Sequence, residues 1–195
     1  MSDRIGSISR QTKETSIEVE LNLDGQRSIE VSTGLGFFDH MLSALAFHAG
    51  WDLKLVAKGD LEVDDHHTIE DCGITIGQAM EWAVGEKLGI CRFGSKYAPL
   101  DEALARSVID YSGRPGAVVN LGLKREMIGA VACENLGHFF QSLSMSGKFT
   151  LHVDVLRGEN DHHRAEAAFK SLALALKESL AITEPEIVPS TKGAL

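Results

Sequence analysis

Between residues 15 and 23 every second side chain is apolar: Ile17, Val19, Leu21 and Leu23 share one face, with Glu18, Glu20 and Asn22 on the other. A period of two predicts a half-buried strand. Asp24-Gly25 signals a turn, and residues 27–31 read as the returning strand. The period then changes: Phe38, Met41, Leu42 and Leu45 recur at helical spacing and predict a helix over 37–49. Residues 51–57 are a further strand candidate. Residues 66–86 read as a long helix, with Ile69, Gly73, Ile76 and Met80 along one side.

The order returns in the second half. Residues 105–111 read as a strand, Ser112 to Gly116 as a turn, and 117–121 as a returning strand. Residues 134–145 follow as a helix, and 148–155 as a strand carrying Phe149, Leu151, Val153 and Val155 on one face. Residues 162–180 form a helix with Ala165, Phe169, Leu172 and Leu176 inward and Lys170, Lys177 and Glu178 outward. Each half is thus strand, strand, helix, strand, helix. Individual residues repeat as well: Asp65-His66-His67-Thr68-Ile69-Glu70 matches Asp161-His162-His163-Arg164-Ala165-Glu166, and each double histidine has an upstream partner, His40 or His138. A duplicated unit explains this recurrence. Two units that must each hide one apolar face layer most economically as sheet, helices, helices, sheet. The Gly-rich stretch 85–94 is too short to separate them. The expectation is one pseudo-symmetric body made of a first repeat, 1–90, and a second, 91–195.

Composition narrows the function class. The chain has 195 residues, with 28 acidic against 19 basic side chains and a net charge of −9. No basic run offers a footprint for nucleic acid, although a few focused cations can still hold one phosphate. The three cysteines, Cys72, Cys91 and Cys133, show no CxxC spacing and read as small buried hydrophobes. The first ten residues lack the apolar centre of a signal peptide. No apolar run reaches the roughly 18 residues of a membrane span. A reducing cytoplasm is the expected setting, with neither nucleic acid nor membrane as partner.

The chemistry lies in the histidines. Six of the eight occupy the repeated positions: His40, His66, His67, His138, His162 and His163. On a helix His66 lies beside Glu70 and His162 beside Glu166, one turn apart. Neighbouring histidines diverge by about 100°, so one pair can hardly chelate a single ion and should feed two. Six imidazoles and two carboxylates make two sites of three imidazoles and one carboxylate, leaving coordination positions open for catalysis. Such donors suit Mn, Fe, Co, Ni or Zn, and the absence of cysteine ligands disfavours structural zinc. A single histidine would read as a surface or core residue; two matched motifs reverse that reading. Asp64, Asp65 and Asp161 precede the two long helices and read as caps. His48 lies two turns beyond His40 and could face the same pocket, while His152 reads as a structural strand residue.

At Phe38 to Leu42, at Asp65 to Asp71 and at Gly158 to Lys170 the chain resembles the imidazoleglycerol-phosphate dehydratase family. Arg92-Phe93-Gly94, Ser112-Gly113-Arg114-Pro115 and Pro189 to Gly193 fit the same pattern, and the resemblance runs from about Arg4 to Lys192. It implies an α/β (α+β) sandwich, ribosomal protein S5 domain 2-like, with helices between two four-stranded sheets. It implies a hydro-lyase of histidine biosynthesis with two Mn2+ per active site. One ion would take His40, His66, Glu70 and His162, and the other His67, His138, His163 and Glu166. It also implies a homo-oligomer of twenty-four subunits whose metal sites are shared between chains. The substrate would be a small phosphorylated imidazole, D-erythro-imidazoleglycerol phosphate, dehydrated to imidazoleacetol phosphate through a metal-stabilised imidazolate. Glu14, placed in the first strand region, matches the family's acid/base and contacts substrate. Arg92, Arg114, Ser190 and Lys192 match substrate contacts, and their guanidinium and ammonium groups suit a phosphate. The residues alone leave two alternatives open, a dinuclear metal hydrolase and a non-catalytic metal-binding assembly.

Overall fold

A computed structural model of the chain describes residues 4–183 and 187–193. The first half folds as β1 (Ile5–Gln11), β2 (Thr15–Asn22), β3 (Ile29–Ser32), α1 (Gly36–Ala49), β4 (Asp52–Gly59) and α2 (His66–Val84). The second folds as β5 (Phe93–Leu100), β6 (Ala103–Asp110), β7 (Gly116–Asn120), a small hairpin of β8 (Met127–Ile128) and β9 (Val131–Ala132), α3 (Cys133–Ser146), β10 (Thr150–Arg157) and α4 (Asp161–Ser179). Two four-stranded sheets result, ordered β1-β2-β4-β3 and β5-β6-β10-β7.

Each four-stranded sheet therefore holds one strand more than the strand-strand-helix-strand-helix expectation, and the second unit adds the β8–β9 hairpin. The additions to the sheets, β1 and β5, are edge strands running antiparallel to β2 and β6. The returning strands are also placed differently. β3 does not close a hairpin on β2; it pairs in parallel with β4, Ile29 opposite Leu53. β7 likewise pairs in parallel with β10, Leu151 opposite Ala117. The helix between them, α1 or α3, supplies the crossover that a parallel pair requires.

The alternation in β2 decides which way the first sheet faces. Ile17, Val19 and Leu21 are buried, and the intervening glutamates are exposed. α2 lies over β1 and β2, and α4 over β5 and β6. The two helical layers then meet, α2 against α3 and α1 against α4, so the helices form the middle of a four-layer sandwich. Its centre is aromatic. Phe38 of α1 meets Phe139 of α3 edge-on at 5.4 Å, and Phe169 of α4 stacks on Phe139 at 5.2 Å. All three rings are fully buried, and each contributes about 1.5–3 kcal/mol through burial.

The α2–α3 contact depends on glycine. A Cβ at Gly77 would stand 2.7 Å from the Leu143 carbonyl oxygen, and one at Gly73 would stand 3.0 Å from that of Phe139. Bare backbone at these positions lets the helices approach, which sets the spacing of the side chains at their ends.

Only one of the three expected aspartate caps is a cap. Asp64 Oδ1 accepts from the His66 amide at the start of α2. Asp65 instead accepts from the Ala132 amide and the Asn135 side chain, tying α2 to α3. Asp161 accepts from the amides of Lys124 and Arg125, and α4 is capped by Asn160, whose Oδ1 accepts from the His162 amide. Tertiary hydrogen bonds outcompete local capping here because both carboxylates are almost fully buried and face unpaired amides of another segment. Cys72 and Cys133 are buried free thiols, whereas Cys91 is only half-buried.

Candidate metal centre

The repeated histidines collect at one end of the helical layers. In the first cluster, Glu166 Oε2 lies 3.3 Å from His40 Nε2 and 3.2 Å from His162 Nε2. These three ligand atoms all fall within 4.8 Å of one another. The spacing of one helical turn brings His162 beside Glu166, and the packing of α1 on α4 adds His40. Glu166 Oε1 accepts from Lys170 Nζ at 2.7 Å. Burial works to raise the Glu166 pKa, but Lys170 and then His40 outweigh it and leave the carboxyl below its ordinary value. Lys170, expected to point outward, is thus turned in by an anion.

The second cluster repeats the first through the pseudo-twofold. His66 Nε2 lies 3.9 Å from Glu70 Oε2, and the His66 and His138 rings are 4.9 Å apart. In both clusters the histidine of one half's short helix meets the double-histidine helix of the other half. The two sets drawn from the resemblance would combine ligands of more than one chain, and the grouping inside a single chain is a different one. Glu166 groups with His40 and His162, not with His138, and His138 joins His66.

His67 and His163 diverge from their neighbours, with ring pairs at 79° and 86° and centroids 5.9 and 6.1 Å apart. His67 Nδ1 lies 3.2 and 3.1 Å from the two oxygens of Asp60, and His163 Nδ1 2.7 Å from Glu102 Oε2. A carboxylate only accepts, so Nδ1 donates and Nε2 is left with its lone pair. His66 is fixed the same way: its Nδ1 donates to Asn135 Oδ1, while Asn135 Nδ2 donates to Asp65. Three imidazoles held by Nδ1 with Nε2 presented fit the donor geometry of metal-ligating histidine. The pKa values of His67 and His163 are raised, chiefly by the hydrogen bonds to Asp60 and Glu102. Glu102 is held down at about 2, first by the Asn160 amide and then by His163. Asp60, Glu102 and Asn135 carried no signal in the sequence, apart from Asn135 lying one turn before His138.

Glu14 lies in the turn immediately before β2, not within a strand. Thr12 Oγ1 accepts from the Glu14 and Thr15 amides, and Thr15 and Arg10 both donate to Asp71 of α2. This network ties the turn to the first turns of α2. The charge of Glu14 is near enough to contribute to the raised pKa of His67. His48 sits in the last turn of α1, half-buried, with its pKa lowered by burial and then by Lys170.

Arg92 and Arg114 both reach Asp110, at 2.7 and 3.3 Å, and Arg92 Nη1 donates to the Pro189 carbonyl. Ser190 Oγ accepts from the Lys192 amide, so all four expected phosphate contacts belong to one region. Arg92 precedes β5 and Glu102 follows it, and eight extended residues span roughly 25 Å. One chain does not bring its phosphate-type residues to its own imidazoles. The imidazole clusters also lie on an open rim. Neither the hollow lined by Arg4, Trp51 and Lys177 nor that lined by Leu121, Arg125 and Glu134 includes any of the eight donors.

A family model described as imidazoleglycerol-phosphate dehydratase matches residues 33–176. The imidazoleglycerol-phosphate dehydratase of Candida glabrata is 52% identical over 206 aligned positions, which cover 96% of this chain and 98% of that one. A protein of the same name from Phytophthora nicotianae is 54% identical over 98% of this chain, which spans 42% of that longer protein. The crystal structure of the Staphylococcus aureus enzyme matches with a TM-score of 0.83 at 37% identity, covering 92% of this chain and 99% of that one. The Pyrococcus furiosus structure also gives 0.83, at 40% identity, covering 96% and 100%.

Proposed function

The chain belongs to the imidazoleglycerol-phosphate dehydratase family and is a hydro-lyase of histidine biosynthesis, and on that premise we propose that it dehydrates D-erythro-imidazoleglycerol phosphate to imidazoleacetol phosphate at a two-metal site. The observation that carries the reading is the compact His40–His162–Glu166 donor set and its pseudo-symmetric partner at His66, Glu70 and His138. Bound divalent cations, Mn2+ by the family resemblance, would supply the positive charge that favours the imidazolate form of the substrate ring.

The protein's own groups do the remaining work. The carbon next to the ring loses its hydroxyl as water. The adjacent carbon gives up its proton to a base, and the resulting enol relaxes to the ketone, so the net change is loss of one water. Glu14 suits the proton transfer because it is an exposed residue of the turn before β2, near enough for its charge to act on His67. Arg92, Arg114, Ser190 and Lys192 suit the phosphate, and His48 borders the site. Their distance from the imidazoles within a chain favours an active site built from more than one copy, in keeping with a twenty-four-subunit particle.

Incubation of the Mn2+-loaded protein with substrate tests the reading. A ketone that retains its phosphate is expected; stoichiometric release of inorganic phosphate would favour a dinuclear hydrolase instead. Glu14→Gln should lower kcat by about 10²–10⁴-fold with Mn2+ binding unchanged. Tight Mn2+ binding with no turnover in the parent protein would favour a non-catalytic assembly. Chelation should also shrink the particle by light scattering, since shared ligands would link metal to assembly.

A further inference from the structure

The turn that carries Glu14 exists twice. Glu14 is the residue immediately before β2, and Glu102 the residue immediately before β6. Both strands have eight residues and bury alternate positions from the first, Thr15 and Ala103. The edge strands agree in register: Gly6 lies opposite Leu21, and Gly94 opposite Ile109, with Leu21 and Ile109 each seven residues after the glutamate and Gly6 and Gly94 each eight before it. Glu14 and Glu102 are therefore the same position of the duplicated unit.

Their surroundings have diverged. Glu102 Oε1 accepts from the backbone amides of Glu159 and Asn160, at 3.0 and 2.9 Å, and Oε2 accepts from His163 Nδ1. Both oxygens are committed, so this carboxylate has little capacity to take a proton from a substrate. In the first half the corresponding histidine, His67, is held instead by Asp60, which directly follows β4. Asp60 does for His67 what Glu102 does for His163, and Glu14 is left without that task.

We propose that Glu102 and Asp60 are positioning residues that hold His163 and His67 with Nε2 outward for a cation, and that Glu102 is the duplicated counterpart of Glu14 given over to that structural duty. The proposal rests on the two-metal reading above. An imidazole whose Nδ1–H is held by a carboxylate has one tautomer and one ring orientation, which is the outer-shell arrangement of metal-binding histidine. Glu102→Gln presents an amide NH2 either to His163 or to the backbone amides, so one of the two contacts must fail.

The test is a competitive Mn2+ titration of the full-length protein with thermal unfolding of the metal-free form alongside. Glu102→Gln should bind one of its two Mn2+ equivalents about 10–100-fold more weakly, and excess Mn2+ should restore turnover. Glu14→Gln should show the reverse, with unchanged Mn2+ affinity and no rescue. Asp60→Asn repeats the test should the Glu102 variant not fold, because among the described residues the Asp60 carboxylate hydrogen-bonds only to His67. Parental Mn2+ affinity in both variants overturns the proposal, as does lost turnover that excess Mn2+ does not restore. A parent protein that binds no Mn2+ overturns the two-metal reading itself, and this inference with it.

Discussion

Glu166 and Glu70 occupy the same place in the duplicated motif and live in different surroundings. The Glu166 side chain is 12% exposed, touches two imidazoles and is paired with Lys170 one turn on. The Glu70 side chain is 39% exposed and stands 3.9 Å from one imidazole, and the residue one turn on is Ile74. The helices that bring the donors together differ as well. α2 meets α3 across bare glycine backbone, as no pair of glycines does for α1 and α4. Duplication has kept the histidines and glutamates and let their supports drift, so one group is closely assembled with its carboxylate paired to a lysine, while the other stands more open.

The largest expected effect asks whether both groups are needed. His162→Ala and His66→Ala remove equivalent imidazoles. Each should lower kcat/KM by more than the roughly 100-fold that losing a supporting residue costs. Should either variant turn over at the parent rate, the two clusters would not act jointly.

The next largest concerns the helix contact. Gly77→Ala places a methyl against the Leu143 carbonyl, where flexible side chains cannot yield. It should destabilise the metal-free chain by about 1–3 kcal/mol, read from urea unfolding, and weaken Mn2+ binding by spreading His66 from His138. Loss of stability alone, with metal affinity intact, would show that the α2–α3 spacing does not set the site.

A smaller effect concerns the lysine. Lys170→Met leaves Glu166 Oε1 without its partner and should cost about 1–3 kcal/mol in the metal-free protein. It should also tighten Mn2+ binding severalfold, because a fixed positive charge beside an incoming dication is repulsive. Ile74→Lys should move Glu70 the opposite way. Equal Mn2+ affinities across parent and both variants would mean that the contrast between the two carboxylates has no electrostatic consequence.

What was legible in the sequence, and what was not, follows from the same drift. The double-histidine motifs stand on strongly periodic helices, so α2 and α4 could be read to within two residues. β1 and β5 could not, because the signal that marks a strand is absent or reversed there. Along β1 the buried position is Gly6, and along β5 the buried positions are Gly94 and Ala98 while Phe93 and Tyr97 face outward. A Cβ at Gly6 would collide with the Ala79 carbonyl of α2, and one at Gly94 with that of Ala175 of α4. Each edge strand gives up its apolar face so that a long helix can lie close. The parallel pairing of β3 and β7 was hidden for another reason: Asp24-Gly25 and Ser112 to Gly116 are good turns, but a turn does not say which strand the chain joins next. The donors could be listed from spacing, whereas their grouping depends on α1 lying on α4, which no local pattern records. Asp60 and Glu102 are invisible to periodicity because they act across 7 and 61 residues from turns.

The smallest expected effect separates the two outward histidines. Folding raises the pKa of His163 above its ordinary 6.5, so that group's contribution is fully present below about 6.5 and is lost as pH rises through the raised value. Folding lowers the pKa of Glu102 from 4.5 to about 2, so its contribution is present above about 4.5 and fades as pH falls toward 2. The two overlap between about 4.5 and 6.5, where the pair stabilises the metal-free chain most. His67 is raised by Asp60 in the same sense as His163 and adds to the alkaline side. The melting temperature of the metal-free protein, followed from pH 3 to 8 at low salt, should therefore lose both flanks of this contribution in Glu102→Gln and part of the alkaline flank in Asp60→Asn. The changes should be small and fall with added salt, since these groups are solvent-exposed and screened. Mn2+ bound at these histidines, as proposed, would reverse the sign, because a ligating imidazole must be neutral and stability would then rise with pH. A Glu102→Gln profile superimposable on that of the parent at low salt would mean that the Glu102–His163 contact does not persist in solution.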